Sequence, residues 1–236
     1  LYERQSALLE GRACDAFIRA LPALGARDRI PRFEDINARL RPATGWEIVG
    51  VPGLIPEVPF FTLLSQRRFP VTDWIRSPQE FDYIVEPDVF HDLFGHVPLL
   101  FDPVFADHMQ AYGEGGLKAH ALGACELLSR FYWYTVEFGL IRQADGLRAY
   151  GAGILSSPGE LQYAVESPVP QRLPLDLVRV LRTRYKIDSF QATYFVIDSF
   201  EQLFEMTAPD FAPFYAQASR LPEIAADARG GAAYTA

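Results

Sequence analysis

The chain has 236 residues, of which 49% are hydrophobic, 14% aromatic and 22% charged, and its formal net charge is −8. This length fits one large domain or two small ones, and the acidic charge argues against nucleic acid or an anionic membrane as a partner. No run of 18 apolar residues that could span a membrane occurs in the sequence, and residues 1–17 lack the pattern of a secretory signal. We therefore expect a cytoplasmic protein.

Helices dominate the predicted secondary structure in the first part of the chain. Residues 3–25 are predicted to form two helical pieces broken near Gly11, and residues 33–40 a third helix. Short strands are predicted for residues 46–53 and 69–75, where apolar and β-branched residues are frequent.

The later part of the chain continues this pattern. Residues 129–141, SRFYWYTVEFGLI, predict an apolar helix; residues 193–200 predict a strand that runs into the last helices, and residues 228–236 a flexible tail. Capping residues mark four helix starts, at Ser77, Ser157, Asp102 and Asp198. Because strands and helices do not alternate, the sequence predicts one mostly α domain with minor short β structure.

The two cysteines, Cys14 and Cys125, lie far apart in the sequence and both fall in predicted helices. We expect two buried thiols rather than a disulfide. Since no C-x-x-C motif is present, the sequence does not predict a cysteine-based metal site.

Two histidines, His91 and His96, lie five residues apart in the apolar stretch FHDLFGHVPLL. On a regular helix such residues point about 140° apart and are separated by about 7.5 Å along the axis, which is a poor arrangement for binding one ion. Gly95 offers a point at which the turn can distort so that both imidazoles converge. The alternative is that both histidines are ordinary, partly buried polar residues.

A carboxylate in the apolar segment 129–141 favours metal binding over the interpretation of His91 and His96 as ordinary polar residues. Helical spacing puts Glu137 on one face with Ser129 and Trp133. A carboxylate in such surroundings needs a cation, either a metal or an arginine such as Arg130 or Arg142. Two histidines and one carboxylate match the facial triad of non-haem Fe(II) oxygen chemistry, and zinc with the same ligands is the competing interpretation.

Several long motifs, in order along residues 46–206, give the chain a family resemblance. It resembles the catalytic domain of the pterin-dependent aromatic amino acid hydroxylases, especially the short bacterial phenylalanine hydroxylases. The motifs are VPGLIPEVPFF, RRFPVTDWIR, EPDVFHDLFGHVPLL, FYWYTVEFGLI, YGAGILSSPGE and TRYKIDSFQATYFVIDSF.

The resemblance implies a helical basket around one iron ion, formed by a single catalytic domain over residues 1–236. Residues 1–45 would be N-terminal helices, residues 46–206 the core that holds iron, pterin and substrate, and residues 207–236 a C-terminal helix and tail. Since no long heptad helix follows residue 206, we expect a monomer.

The resemblance also assigns roles to individual residues. Fe(II) would be held by His91, His96 and Glu137. The positions that would bind tetrahydrobiopterin or a related tetrahydropterin are Gly53, Leu54, Ile55, Phe60, Asp92, Ser129 and Tyr132. Asp92 stands where the animal enzymes carry a glutamate that contacts the pterin through water.

The implied substrate positions are Arg76, Trp133, Ser156 and Ile187, with Glu160 supporting the metal ligands. Arginine suits an amino acid carboxylate because its guanidinium donates two parallel hydrogen bonds. Tryptophan hydroxylases carry phenylalanine in place of Trp133, and tyrosine hydroxylases carry an acid in place of Ile187. Both positions therefore favour L-phenylalanine, with O2, as substrate and L-tyrosine as product, and they leave para and meta attack open.

Several of these residues also have a purely structural interpretation. Arg76 also fits a solvated charge at a strand end, and Trp133 and Phe61 also fit core packing. The remaining histidines, His108 and His120, are interpreted as surface residues, and Tyr83 is interpreted as a packing or surface residue. For the whole chain, the alternatives are a tryptophan or meta-specific phenylalanine hydroxylase, a zinc hydrolase, and a non-catalytic amino acid or pterin binding module.

Overall fold

The computed structural model describes residues 1–81, 84 and 86–230, and within them helices form most of the regular structure. The α-helices are α1 (Tyr2–Ser6), α2 (Asp15–Ala20), α3 (Phe33–Thr44), α4 (Glu57–Ser65), α5 (Pro103–Ala121), α6 (Cys125–Tyr132), α7 (Ala152–Leu155), α8 (Pro158–Glu166), α9 (Leu177–Arg182), α10 (Phe200–Thr207) and α11 (Ala212–Ala218). Short 3₁₀ turns span Leu21–Leu24, Pro78–Glu80 and Val97–Phe101, and π-helical turns span His91–His96 and Trp133–Glu137.

The strands are short and form two small sheets. They are β1 (Glu47–Val51), β2 (Arg68–Thr72), β3 (Leu140–Gln143), β4 (Gly146–Ala149), β5 (Gln171–Pro174) and β6 (Thr193–Ile197). Strands β1 and β2 pair in parallel, with Glu47 opposite Arg68. The second sheet has the order β4-β3-β6-β5, in which only β3 and β4 are antiparallel. The prediction of a mostly α protein with minor β structure is confirmed.

The hydrophobic core is rich in aromatic side chains. Strand β6 is buried at all five positions, as expected for an internal strand covered on both faces. The largest fully buried side chains include Trp46, Tyr134 and Phe131. Tyr134 packs edge-on against Phe195 of β6, which ties the region around the second π turn to the four-stranded sheet.

The predicted helix over residues 129–141 is too long. Helical structure ends with the π turn at Glu137, and Leu140 begins β3, which pairs with β4 and β6. Leu140 and Ile141 continue the apolar pattern of the helix, but their burial comes from strand neighbours such as Val196 and Ile197. An apolar run alone does not distinguish a helix from a buried strand.

The predicted capping residues are confirmed at three of the four helix starts, although only Ser77 forms the full capping box. Ser77 forms both hydrogen bonds of a capping box, and the Asp102 carboxylate accepts from two backbone N–H groups at the start of α5. Ser157 accepts from the Glu160 N–H alone, because the Glu160 side chain bonds elsewhere. Helix α10 is capped by Ser199 instead of Asp198.

Both cysteines are free thiols, with Cys14 buried and Cys125 half-buried. Residues 231–236 of the predicted tail lie outside the described residues. None of the helices in the described part of the chain is long and apolar enough to cross a membrane.

The prediction that His108 lies at the surface is wrong. Its side chain is fully buried in α5, its Nδ1 lies 2.9 Å from the Thr207 hydroxyl oxygen, and its ring packs against Phe105 and Phe131. Burial lowers the pKa of His108 to about 3, so the ring is neutral at pH 7. Helix α5 packs against both α4 and α10, which covers a position that the sequence alone presents as polar. His120 is exposed, as predicted.

Candidate active site

The two histidines of the FHDLFGH segment lie on a π-helical turn, His91–His96. In a π turn the backbone bonds run from residue i to i+5, so side chains five apart stand one turn apart. Gly95 permits this turn to pack against α7, since a Cβ there would lie 2.9 Å from the Ala152 carbonyl oxygen. The distortion predicted at Gly95 is thus a turn of π-helix, and π turns are frequent at functional sites.

A second π turn, Trp133–Glu137, supplies the carboxylate. The His96 Nε2 atom lies 3.1 Å from His91 Nε2 and 3.2 Å from Glu137 Oε1, and His91 Nε2 lies 3.7 Å from Glu137 Oε2. Three ligands bound about 2.1 Å from one ion lie about 3.0–3.4 Å apart. The three side chains therefore point donor atoms at one common position, with a spacing that suits a single metal ion.

Ser156 fixes the tautomer of His91. Its hydroxyl lies 2.8 Å from the Ala152 carbonyl oxygen, to which it donates, and 2.8 Å from His91 Nδ1. Because the serine proton is used on the carbonyl, His91 must donate Nδ1–H to the serine oxygen. The lone pair of Nε2 then faces His96 and Glu137, which is the tautomer that a metal requires.

The electrostatics of the three groups also favour a cation. Burial lowers the pKa of His91, and the Glu137 charge opposes this only in part. Burial alone would raise the pKa of Glu137, but the two imidazoles hold it below its ordinary value. Burial would lower the pKa of His96, and Glu137 reverses that shift. The result is a buried carboxylate that stays ionised beside two imidazoles. The alternative partners of Glu137 are engaged elsewhere, since Arg130 pairs with Glu126 and Glu223, and Arg142 pairs with Asp198.

One cavity, of about 310 Å³, lies on one side of these groups, and we call it the aromatic cavity because phenylalanine and tyrosine side chains line much of it. Phe60 on α4 meets Tyr132 edge-on, with 5.9 Å between ring centroids. All seven residues that the sequence predicts to bind pterin line this cavity: Gly53, Leu54, Ile55, Phe60, Asp92, Ser129 and Tyr132. The Asp92 carboxylate accepts from the Thr72 N–H and hydroxyl, at 2.8 and 2.9 Å, which fixes its orientation.

A second cavity, of about 500 Å³, lies on the other side, and we call it the polar cavity because Arg76, Glu160, Asp188 and Gln191 line it. The four residues that the sequence predicts to bind substrate all line this cavity: Arg76, Trp133, Ser156 and Ile187. Glu160 lines it as well. His91, Trp133 and Glu137 line both cavities. The candidate metal position therefore lies in the lining that these two adjoining cavities share.

Arg76 is buried in an ion pair, so the interpretation as a solvated strand-end charge is wrong. Its Nε and Nη2 donate to the two Asp88 carboxylate oxygens at 2.8 and 2.9 Å, and its side chain is only 5% exposed. The Asp88 carboxylate also accepts from the His91 N–H at 2.9 Å. Burial would raise the pKa of Asp88, but these hydrogen bonds lower it, so the carboxylate is ionised. Asp88 thus links the guanidinium to the first histidine, and the Nη1 edge is not used by this pair.

Glu160 bonds to neighbours other than the metal-site residues. Its Oε1 accepts from the Gln191 N–H at 3.0 Å and from the Tyr194 hydroxyl at 2.7 Å. Burial raises the pKa of Glu160 to about 7 despite these two bonds. Gln191 in turn accepts from the Trp133 indole at 3.1 Å. Glu160 therefore positions the loop that holds Trp133, whose ring stacks on Tyr185 with 4.3 Å between centroids.

Comparison with known proteins identifies the family. The profile described as biopterin-dependent aromatic amino acid hydroxylase matches residues 1–216. The chain belongs to this family. The resemblance inferred from the six motifs is therefore confirmed, and with it the expected catalytic fold.

Bacterial relatives of this hydroxylase are close in sequence and structure. Phenylalanine-4-hydroxylase from Ralstonia nicotianae is 60% identical over 227 residues, covering 96% of this chain and 72% of the relative. The enzyme of that name from Chromobacterium violaceum is 62% identical over 218 residues, covering 92% and 73%. A cobalt-bound crystal structure of the Chromobacterium violaceum hydroxylase superposes with a TM-score of 0.95 at 57% identity, covering 98% of this chain and 84% of that one.

The donor set of this hydroxylase fits the iron that its family resemblance implies. Two imidazoles and one carboxylate leave three coordination positions open, which is the arrangement of non-haem Fe(II) oxygenases. The tautomer set by Ser156 and the ionised Glu137 are both what a bound divalent cation requires.

Several supporting residues of the hydroxylase were not predicted from the sequence. Asp88 lies three residues before His91, and the acid at that helix-start spacing is a signal that could have revealed it. Thr72 and Gln191 reach their partners across 20 and 58 residues, and no local pattern marks them. Tyr83, interpreted as packing or surface, lies outside the described residues.

Proposed function

We propose that this hydroxylase converts L-phenylalanine to L-tyrosine with a tetrahydropterin and O2 at an Fe(II) ion held by His91, His96 and Glu137. The observation that carries the proposal is the shared wall: His91 and Glu137 face both the aromatic and the polar cavity. A reaction between three components at one metal needs separate places for cofactor and substrate, each within reach of that metal.

The metal with its reduced pterin would supply activated oxygen, and the protein would supply ligation and positioning. Ser156 holds His91 in the ligating tautomer, and Phe69 packs against the His96 ring with 5.0 Å between centroids. Such outer contacts orient ligands and typically affect metal affinity or activity by about 10–100-fold.

The polar cavity suits the amino acid substrate. Asp88 aligns the Arg76 guanidinium through Nε and Nη2, which leaves the Nη1 edge for the substrate carboxylate. Trp133 is held by Tyr185 and Gln191, so a rigid indole would limit the size of the substrate ring. Ile187 places an apolar side chain at the same cavity. These features favour phenylalanine over tryptophan or tyrosine.

The aromatic cavity suits a planar pterin. Phe60 presents a ring to it, and residues 53–55 line it as an extended segment before α4. Ser129 donates its hydroxyl to the Glu126 carbonyl, which orients the serine oxygen at the cavity. Asp92, fixed by Thr72, offers the carboxylate that a water molecule can bridge to the cofactor.

Further predictions from the sequence belong to this proposal. We expect a monomeric, cytoplasmic enzyme that binds only small molecules, and the boundaries at residues 45 and 206 stay predictions.

The test is product analysis with iron-loaded protein. Tetrahydrobiopterin, O2 and one of L-phenylalanine, L-tyrosine or L-tryptophan are incubated with the protein, and the products are identified by chromatography and mass spectrometry. We expect phenylalanine to give L-tyrosine, with one pterin oxidised per product, and zinc-loaded protein to be inactive. A meta-hydroxylated product, preferred turnover of tryptophan, or activity of the zinc form as a hydrolase would contradict the proposal.

A further inference from the structure

Helices α4 and α5 pack unusually closely, and this packing fixes which residues meet at their ends. A Cβ on Gly113 of α5 would lie 2.4 Å from the Ser65 backbone nitrogen, and one on Gly116 would lie 2.1 Å from the Phe61 ring. The α5 backbone therefore lies directly on α4, with the later part of α5 beside the earlier part of α4. This register places Glu57, the first residue of α4, next to His120 in the last turn of α5.

A third polar side chain joins them at the start of α6. The chain turns at Gly123, which has a φ of 66°, and Cys125 opens α6. His120 Nδ1 lies 3.4 Å from Glu57 Oε2 and 3.9 Å from the Cys125 sulfur, and the three ligand atoms all lie within 4.8 Å of one another. An imidazole, a thiol and a carboxylate therefore meet where three helix ends converge.

The spacing of these atoms agrees with tetrahedral coordination. Ligands bound to zinc in a tetrahedron lie about 3.4 Å apart for nitrogen and oxygen and about 3.6 Å apart for nitrogen and sulfur. The His120–Glu57 distance of 3.4 Å matches this geometry, and the His120–Cys125 distance of 3.9 Å is about 0.3 Å longer than in such a site. The His120 and Glu57 side chains are 53% and 59% exposed, so a cation can enter from solvent and keep water as a fourth ligand.

We propose that Glu57, His120 and Cys125 bind a thiophilic divalent cation of the Zn²⁺ class, separate from the His91, His96 and Glu137 site. Burial and the neighbouring Glu57 raise the pKa of the Cys125 thiol to about 11, so binding of the cation would displace the thiol proton to solvent. The resulting thiolate and the Glu57 carboxylate would together neutralise the ion. Sulfur and imidazole ligands favour this class of cation over Mg²⁺ or Ca²⁺. This site departs from the sequence-based expectation because its residues converge only through the α4–α5 register.

The position of the site ties it to the rest of the protein. Glu57 and Cys125 also line the aromatic cavity, whereas His120 does not. The cation would therefore lie at the edge of that cavity. It would link the first turn of α4 to α5 and α6, and this turn also contains Phe60.

The proposal is tested on iron-loaded protein with Zn²⁺ and with Co²⁺ as a spectroscopic probe. Equilibrium dialysis with metal analysis should show one Zn²⁺ bound per chain while the iron is retained. Co²⁺ should give a near-ultraviolet charge-transfer band from thiolate to metal. The iron site cannot give that band, since none of its three proposed ligands contains sulfur.

Three variants and one matched control assign the ligands. Cys125→Ser should abolish the thiolate band, and Cys125→Ser, His120→Ala and Glu57→Gln should each weaken Zn²⁺ binding at least about tenfold, equivalent to about 1.4 kcal/mol. Cys14→Ser removes the other thiol, which is buried away from this cluster, and should leave the band and the affinity unchanged.

Two results would overturn the site. The first is the absence of a thiolate band, or a band that survives Cys125→Ser. The second is wild-type Zn²⁺ affinity in both His120→Ala and Glu57→Gln, which would show that the thiol binds the cation without the other two residues. Neither result depends on hydroxylation, so a failure here is distinguishable from a failure of the proposed function.

Discussion

The aromatic and polar cavities share one wall but differ in the other side chains that line them. The aromatic cavity is lined largely by rings and by residues 53–55, and its buried acid besides the shared Glu137 is Asp92, which is held by Thr72. The polar cavity has a buried arginine, a buried glutamate and a loop that contributes Asp188, Ser189 and Gln191. A flat, uncharged ring needs shape and stacking, whereas an amino acid needs a cation for its carboxylate. Among the described lining residues, a guanidinium is found on the side where the proposed ligand carries a carboxylate.

The two cavities also draw on different parts of the chain. The aromatic cavity is formed largely by β1, β2 and helices α4 to α6, which precede Glu137. Most of the residues that line the polar cavity follow Glu137, and Arg76 is the arginine contributed from before it. The two π turns lie at the junction. Substitutions should therefore affect cofactor and substrate separately, except at the shared wall.

The largest effect is expected at the shared wall, for Glu137→Gln. An amide replaces the anionic ligand, so iron content and hydroxylation should both fall, by more than the roughly 10–100-fold that loss of an outer contact produces. Metal analysis and turnover measure this. Glu201→Gln, an equivalent change on the exposed face of α10, serves as the control. Full iron in Glu137→Gln would remove Glu137 from the ligand set.

Arg76→Ala should change the KM for the substrate of the polar cavity and leave the KM for the pterin almost unchanged. Deleting one partner of a buried charge pair is typically worth about 2–5 kcal/mol, so the KM for phenylalanine should rise about 30-fold or more. The KM for tetrahydropterin should stay within about twofold. Because Asp88 is left unpaired, unfolding in urea should also show a loss of about 3–5 kcal/mol.

Arg76→Lys separates these two consequences. It keeps a charge beside Asp88 and loses the two-pronged geometry, so it should recover much of the stability but little of the phenylalanine affinity. An unchanged phenylalanine KM in both variants would move the carboxylate site away from Arg76.

Glu160 tests how strongly the polar cavity excludes water. With a folded-state pKa of about 7 against an ordinary 4.5, the carboxyl is favoured in its neutral form in the folded protein. Its contribution to stability is present below about pH 4.5 and is lost as the pH rises through about 7, by on the order of 2–3 kcal/mol.

The free energy of urea unfolding, compared at pH 5 and pH 7.5, measures this contribution. Glu160→Gln keeps the acceptor for Gln191 and Tyr194, and its stability should fall less between these two pH values than that of the wild type. An identical pH dependence in both proteins would show that Glu160 ionises freely.

Trp133→Phe probes the wall that faces the substrate ring. Removing the fused ring should shift the ratio of kcat/KM from phenylalanine toward tryptophan by about 10- to 100-fold, because a few apolar carbons are worth about 1–3 kcal/mol in discrimination. Competition between the two substrates measures the ratio. A ratio within about twofold of wild type would make Trp133 a core residue that does not border the substrate.

The smallest effect is expected for Phe60→Leu in the aromatic cavity. Leucine keeps an apolar side chain but removes the ring, and an aromatic pair is worth about 0.5–1.5 kcal/mol beyond its buried area. The KM for tetrahydropterin should therefore rise about two- to tenfold, with the phenylalanine KM unchanged. Phe195→Leu, at a fully buried position of β6 that does not line this cavity, is the matched control and should alter stability but not the pterin KM. A rise in the phenylalanine KM alone would indicate that phenylalanine binds in the aromatic cavity and the pterin in the polar cavity.

The sequence by itself determined the family, the fold class and the residues that surround the proposed metal. These depend on residue types in ordered motifs, and on the high free energy of leaving Glu137 in an apolar segment without a cation. It also predicted a distortion at Gly95, since no regular helix brings side chains five residues apart together.

The tertiary structure alone decided the partners of those residues. Asp88 beside Arg76, Thr72 beside Asp92 and the burial of His108 depend on which elements pack together. The end of the helix at Glu137 could not be predicted from the sequence either, because an apolar run fits a buried strand as well as a helix. The local sequence indicates what a side chain requires, whereas long-range packing selects the group that satisfies the requirement. Contacts that span 12 to 99 residues leave no periodic pattern in the chain.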